Sequence, residues 1–389
     1  MANEIKYRDI LYNNEQIGKY PLDKLKRVDK ITTRYVGDVE RRDPREHALA
    51  VPFRGDYGEK VKELAPKMTV SEPLGASLVS MQRHINNFRQ NEVAAKKAPI
   101  PDDPRVLARH VKSLGYFLGA DMVGICELPQ SAVYSHDMDG NPIEAPYKYA
   151  IVLLCRKDAT TIEASCGYDW IFDPVSFQTY QRLACQTETM ANYLRRLGHE
   201  AAPSNMWNYL TLMPQLILEA GLGEESRMGI AVNPFVGGNF KSAAVLTNLP
   251  LEVDKPIDFG LQEYCKNCTI CAEQCPTQAI SYGEKEVYNG YEAWKMDERK
   301  CSTFNILNTK GCVCGRCTKF CPWGGLNTDP EDFKDWDGTN ESLKAMADAR
   351  AKAWREKNYK SEQETTHKWW FDLEKVDDEY VIPPTTERL

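Results

Sequence analysis

Nine of the thirteen cysteines lie between Cys265 and Cys321, and eight of them fall into two runs whose spacing could do chemistry. The first run is Cys265-x2-Cys268-x2-Cys271-x3-Cys275, followed by Pro276. Three thiolates two residues apart on a tight loop can cap three irons of one [4Fe–4S] cube, and the fourth reaches a neighbouring cube. The spacing predicts a helix opening at Cys275, with Pro276 in its first turn, where no backbone N–H is needed. The second run is Cys301-x12-Cys314-x2-Cys317-x3-Cys321, again followed by proline, Pro322. Two such runs predict two cubes with exchanged fourth ligands: Cys265, Cys268, Cys271 and Cys321 for one, and Cys301, Cys314, Cys317 and Cys275 for the other. Cys312 is left over; it could displace Cys301, although its C-x-C spacing to Cys314 is cramped. The plainer alternatives are a zinc ribbon, which wants two separated C-x2-C pairs, and a disulfide scaffold, which a chain of 389 residues does not need.

Two adjacent cubes make a short wire for single electrons, and the rest of the chain must hold its terminus. A hydrophobic content of 42% suffices for a real core. The net charge of −7 argues against nucleic acid as the main partner. No apolar run approaches the ~18 residues of a membrane span. The first residues show no apolar leader, and Arg41-Arg42 is followed by acidic and polar residues rather than a twin-arginine signal. A cytoplasmic, reducing compartment is the expectation.

Residues 1–100 read as an extension draped over the core, with a helix expected over 77–96. Asp103 and Pro104 open a helix whose apolar positions Val106, Leu107, Val111 and Leu114 recur at helical spacing. Met122–Leu128 and Tyr149–Cys155 read as buried strands, with a solvated turn at Asp137–Asn141 between them rather than a calcium loop. Phe177–Leu197 and Tyr209–Ala220 read as helices stopped by Gly198 and Gly221. Strands at Met228–Val232 and Ala243–Thr247 flank a loop in which Gly237, Gly238 and Asn239 let backbone approach a cofactor closely. Strands and helices without strict alternation imply an α+β fold. The expected division is an extension (1–100), an α+β core (101–258), a two-cluster domain (259–330) and a C-terminal segment (331–389). In that last segment Trp336, Trp354, Trp369 and Trp370 either dock a tail or form a lid.

Three stretches keep a specific order before the cysteines: Arg195–Pro203, Ala220–Gly229 with Arg227, and Thr247–Gly260. Together with the C-x12-C-x2-C-x3-C-P run and Pro322-Trp323, this order resembles the corrinoid-dependent reductive dehalogenases over about residues 100–330. The resemblance implies a nitroreductase-like corrinoid-binding core carrying a bacterial-ferredoxin-like two-[4Fe–4S] insert. It implies cobalamin or a related corrinoid held base-off, without a D-x-H-x-x-G histidine. The implied activity is reductive replacement of a carbon–halogen bond by carbon–hydrogen in a small organohalide. By the same resemblance Tyr180 is the proton donor, Lys241 the basic residue that lowers the phenol pKa from its usual ~10, and Asn205 a polar residue near substrate. Tyr168 and Tyr193 are the competing tyrosines. Loops around 130–175 and 330–370 are expected to shape the pocket. Respiratory members carry a twin-arginine signal; without one, a soluble donor such as a ferredoxin or flavodoxin is implied. The alternatives are an epoxyqueuosine reductase-like enzyme acting on tRNA, which would need a basic surface, and a non-catalytic corrinoid or electron-transfer protein.

Overall fold

The computed structural model describes residues 11–87, 91–165, 167–308, 313–324, 328–356, 368–377 and 379–382; Cys166 and Cys312 lie outside them. The architecture is α+β. Its centre is a four-stranded sheet made of β1 (Met122–Glu127), β2 (Tyr149–Arg156), β3 (Ala201–Ser204) and β4 (Phe240–Thr247), in the order β1-β2-β4-β3. Every pairing is antiparallel, and Ile151 of β2 lies between Ile125 and Val245.

Both faces of the sheet are covered, which is why β2 reads as a continuous apolar run rather than an alternating one. Strand periodicity sorts its side chains between two cores. Ile151, Leu153 and Cys155 share one core with Val111, Leu183, Met190 and Leu194. Ala150, Val152 and Leu154 share the other with Leu216, Ile217, Phe235 and Trp323. The first core is built on helices over Pro104–Phe117 and Phe172–Arg196; the second receives Met213–Glu219 and the cysteine-rich segment.

In chain order the helices used below are α1 (Pro73–Asn87), α2 (Pro104–Phe117), α3 (Phe172–Arg196) and α4 (Met213–Glu219). Asp103 caps α2 as expected, its side chain accepting from Arg105 N–H. α1 begins four residues before 77 and is described as far as Asn87, and residues 91–96 are not helical. α3 begins five residues before Phe177, because Pro174 is tolerated in a first turn. α4 begins four residues after Tyr209, with Pro214 in its first turn, where no backbone N–H is needed. Tyr209 therefore lies on an extended segment, which a bridge between Val133 and Thr211 ties to the chain after β1. The strand expected at Met228–Val232 shrinks to Ala231–Val232, paired with Glu224–Glu225. The Asp137–Asn141 turn is a turn: the Asp137 carboxylate accepts from Asp139 N–H and Asn141 N–H.

The N-terminal extension does more than wrap. The Gln82 and Asn86 amides of α1 donate to Met206 O, and residues 31–49 form part of a cavity wall. The C-terminal tryptophans dock a tail. Trp336 packs on Phe235 at 5.7 Å between ring centres, Trp354 on Phe320 at 4.9 Å, and Trp369 donates from Nε1 to Thr161 Oγ1.

Candidate functional site

The cysteine-rich segment is pinned to the core before any metal is considered. Arg227, buried between the two, donates to five backbone carbonyls, those of Cys265, Lys266, Cys268, Ser281 and Gly283. Its guanidinium lies 4.9 Å over the Trp294 ring. Arg316 ties the two runs together, donating to Gln274 O and Oε1. Lys319 Nζ reaches back to Glu163 O and Ser165 O.

Burial raises the Cys321 thiol above its usual range, and Cys265, Cys268 and Cys317 add to that rise; burial raises Cys271 likewise, with Cys321, Cys317, Cys265 and Cys268 as neighbours. Burial also raises Cys317, with Cys301 and Cys275 beside it, and Cys314, with Cys317 and Cys301 beside it. Cys317 thus acts on thiols of both runs. Among the described residues no three His, Cys, Asp or Glu side chains gather closely enough for a single metal ion. One expectation fails: Cys275 opens no helix. It follows the short helix Ile270–Glu273 and enters a turn through Pro276, because Gln278 takes a left-handed backbone (φ 53°).

A cavity of about 430 Å³ lies between this segment and the sheet. Tyr180 of α3, Lys241 of β4, Lys157 and Tyr209 line it, together with Cys275, Cys301, Cys314 and Cys317. A second cavity of about 400 Å³ adjoins it, sharing His47, Tyr134, Leu212, Ile230 and Cys301. Lys241 Nζ stands 4.6 Å over the Tyr180 ring, so β4 and α3 bring together two residues 61 positions apart.

The surroundings of this pair were not legible in the sequence. Lys157 is buried with Nζ 4.4 Å over the Phe172 ring. Burial and then Lys241 push its pKa well down, while Cys317 opposes them. Asp173, two turns before Tyr180 on α3, is pushed up to about 7 by burial, with Lys241 pulling it back. The Tyr209 hydroxyl donates to Ser242 O at 3.3 Å. Burial raises its pKa well above the usual phenol value, with Tyr180 and Tyr134 adding to the rise. Tyr134 is pushed up to about 12 by burial, against Arg42.

The remaining expected residues stand elsewhere. Asn205 is fully buried and donates to Thr187 Oγ1 of α3; it does not line the cavity. Of the glycine loop only Gly238 lines it. Gly237 (φ 59°) lies against Gly324, whose Cα stands 2.2 Å from where a Gly237 Cβ would be, and Asn239 donates to Thr318 O and Gly324 O. The loop therefore clamps the cysteine segment rather than cradling a ligand along its length. Tyr193 is hydrogen-bonded to His110 on another face of α3, and Tyr168 packs on Phe304. Residues 131–172 supply wall positions as expected, whereas none of the described residues in 330–370 does.

Residues 264–325 match the 4Fe-4S dicluster domain, so this is an iron–sulfur protein built to carry two [4Fe–4S] clusters. Over 279 residues the chain is 29% identical to the tetrachloroethene reductive dehalogenase of Sulfurospirillum multivorans, covering 62% of this chain and 55% of that one. Its structure is similar to that of the catabolic reductive dehalogenase NpRdhA in complex with 3-bromo-4-hydroxybenzoic acid, with TM-score 0.85, 35% identity, and coverage of 95% of this chain and 53% of that one. It is equally similar (TM-score 0.84, 36% identity) to a reductive dehalogenase structure described as suggesting a mechanism for B12-dependent dehalogenation. The chain spans about half the length of these relatives. On sequence and fold together the chain is similar to the reductive dehalogenases. No helix among the described residues is long and apolar enough to cross a membrane.

Proposed function

We propose that the protein reductively removes halogen from a small organohalide at a corrinoid fed by two [4Fe–4S] clusters. The observation that carries this reading is one cavity lined both by the Tyr180–Lys241 pair and by Cys275, Cys301, Cys314 and Cys317. In this reading Cys265, Cys268, Cys271 and Cys321 hold one cluster, and Cys301, Cys314, Cys317 and Cys275 hold the other, nearer the cavity.

The cavities suit a corrinoid in kind. Leu212, Met213, Ile217, Met228 and Phe240 supply apolar wall, and Gly238 leaves backbone bare. When bound, the corrinoid supplies a low-valent cobalt able to break a carbon–halogen bond. The chain supplies the rest. Tyr180 gives the proton that replaces the halogen. Lys241, over its ring, stabilises the phenolate left behind and the departing halide. Asn205, behind α3, acts on the site by holding Thr187 rather than by touching substrate. The buried walls exclude water, which strengthens these charge interactions.

We further take 101–258 as the corrinoid-binding core and 259–330 as the electron module, flanked by 1–100 and 331–389. A soluble ferredoxin or flavodoxin serves as donor. Cys126, Cys155 and Cys185, unpaired beside the eight cluster cysteines, suit a reducing compartment such as the cytoplasm.

The test is anaerobic reconstitution with iron, sulfide and cobalamin, followed by halide release from aryl, alkenyl and alkyl halides with reduced viologen as donor. The expected result is a stable corrinoid complex, about eight irons per chain and halide release that Tyr180→Phe abolishes. A protein with full iron that retains no corrinoid and releases no halide refutes the reading.

A further inference from the structure

Cys301 is the cysteine of the second run that sequence does not bring near the others. Twelve residues separate it from Cys314, whereas Cys314, Cys317 and Cys321 follow one another at short spacing. Something other than a tight loop must hold it beside them.

Asn305 is placed to do this. It lies one turn after Cys301 on the helix Glu298–Leu307, so the two side chains share a face. Its Oδ1 accepts from Cys314 N–H at 3.0 Å. A backbone N–H can only donate, so this bond fixes which end of the amide is oxygen. Nδ2 then faces Cys301 Sγ at 3.7 Å, a hydrogen-bond distance for the larger sulfur atom. In a cluster that sulfur is a thiolate, which only accepts. The amide thus spans two cysteines of the run, one through its sulfur and the other through its backbone. The helix itself is tied down: the Asp297 side chain caps it by accepting from Lys300 N–H, and Ser302 Oγ donates to Ala48 O at 2.6 Å. Asn305 is buried from bulk solvent and stands where the two cavities meet, lining both, as Cys301 does.

We propose that Asn305 holds Cys301 and Cys314 as ligands of one cube and, through its N–H···S bond, raises the reduction potential of the cube beside the cavity. The inference rests on the reading of Cys301 as a cluster ligand and not on the halide chemistry. Reduction adds one electron, supplied by the reduced donor, and makes no new covalent bond. The added negative charge spreads onto the thiolate sulfurs, so a buried N–H aimed at one of them stabilises the reduced cube more than the oxidised one. Cys275 receives help of the same kind: Ala279 N–H donates to its Sγ at 3.2 Å, and Thr277 Oγ1 lies 3.5 Å from it. The cube next to the cavity is thereby the better resting place for an arriving electron. Asn305 acts through the cluster and is a positioning residue.

The test is a redox titration of the reconstituted holoenzyme followed by electron paramagnetic resonance. Cys301→Ser identifies the second cluster as the signal that it alters, and Cys312→Ala should leave both signals in place. Asn305→Asp keeps an oxygen for Cys314 N–H but turns an oxygen, not an N–H, toward Cys301. It should retain about eight irons per chain. Its second-cluster midpoint should fall by about 59 mV or more, a tenfold weaker hold on one electron, while the first stays put. Asn305→Ala loses both contacts; it should shift the same midpoint downward and lose the second cluster to a chelator at least ~10-fold faster than the parent. An unmoved second-cluster midpoint in Asn305→Asp, loss of that cluster from Asn305→Asp, or a shift confined to the first cluster overturns the inference. So does Cys301→Ser that alters neither signal. None of these readouts needs an organohalide, so a failure to release halide counts against the proposed function alone.

Discussion

Replacing Lys241 by glutamine removes the one cation that the described residues place over the Tyr180 ring and leaves a neutral polar side chain one atom shorter. At 4.6 Å and an effective dielectric near 20, two full charges interact by about 3.6 kcal/mol. A phenolate half formed in the transition state feels about half of that, roughly 1.8 kcal/mol, which corresponds to about 20-fold in kcat. Lys241→Gln should therefore slow halide release about 20-fold, and Lys241→Arg should recover most of the loss because the charge returns. Removing Lys241 also lifts its repulsion from buried Lys157 and takes the nearby cation from Asp173. These changes oppose one another, so little change in thermal stability is expected. The assay is steady-state halide release under reduced viologen, on samples matched for iron and corrinoid content. Turnover within twofold of the parent in a fully loaded Lys241→Gln would refute the argument, because no other described cation stands over that ring.

Other tests concern assembly and pH. Cys275→Ala should damage the cluster held mainly by the second run and spare the one held by Cys265, Cys268 and Cys271; electron paramagnetic resonance that shows the reverse loss breaks the exchanged-ligand assignment. Gly237→Ala sets a methyl against the Gly324 backbone at a positive φ and should cost at least ~1 kcal/mol, read as a lowered Tm. Glu224, buried and accepting from Thr32, Phe259 N–H and Leu261 N–H, is raised by burial from 4.5 to about 7. The folded chain holds that proton where the unfolded chain has released it, so stability falls as pH rises from about 4.5 through 7. Glu224→Gln should be the more stable protein above pH 7, by up to about 3 kcal/mol, with the gap closing below pH 4.5 in denaturant titrations.

Local signals carried the parts of this molecule that depend on local chemistry. The two cysteine runs, the Asp103 cap and the buried strands at Met122 and Tyr149 are fixed by spacing, capping and apolar runs within a few residues. The Tyr180–Lys241 pair came from family resemblance, since nothing in either neighbourhood says that β4 will lie beside α3. What the sequence hid is tertiary. Lys157 and Asp173 look like solvated charges until both are buried around one lysine. Tyr209 reads as the start of a helix that Pro214 delays by four residues, so it lies instead on an extended segment that lines the cavity. The paired glycines did signal close backbone approach, but the approaching partner is Gly324 of the same chain.

Arg227 carries a consequence for how the metal centres are built and repaired. Its guanidinium gathers three carbonyls from the loop that presents Cys265 and Cys268 and two more from Ser281 and Gly283, so protein contacts hold the curvature of that loop without help from iron. A chain stripped of its inorganic sulfide by oxygen keeps the mould in which a replacement cube can be cast. Refilling is then a matter of delivery rather than refolding.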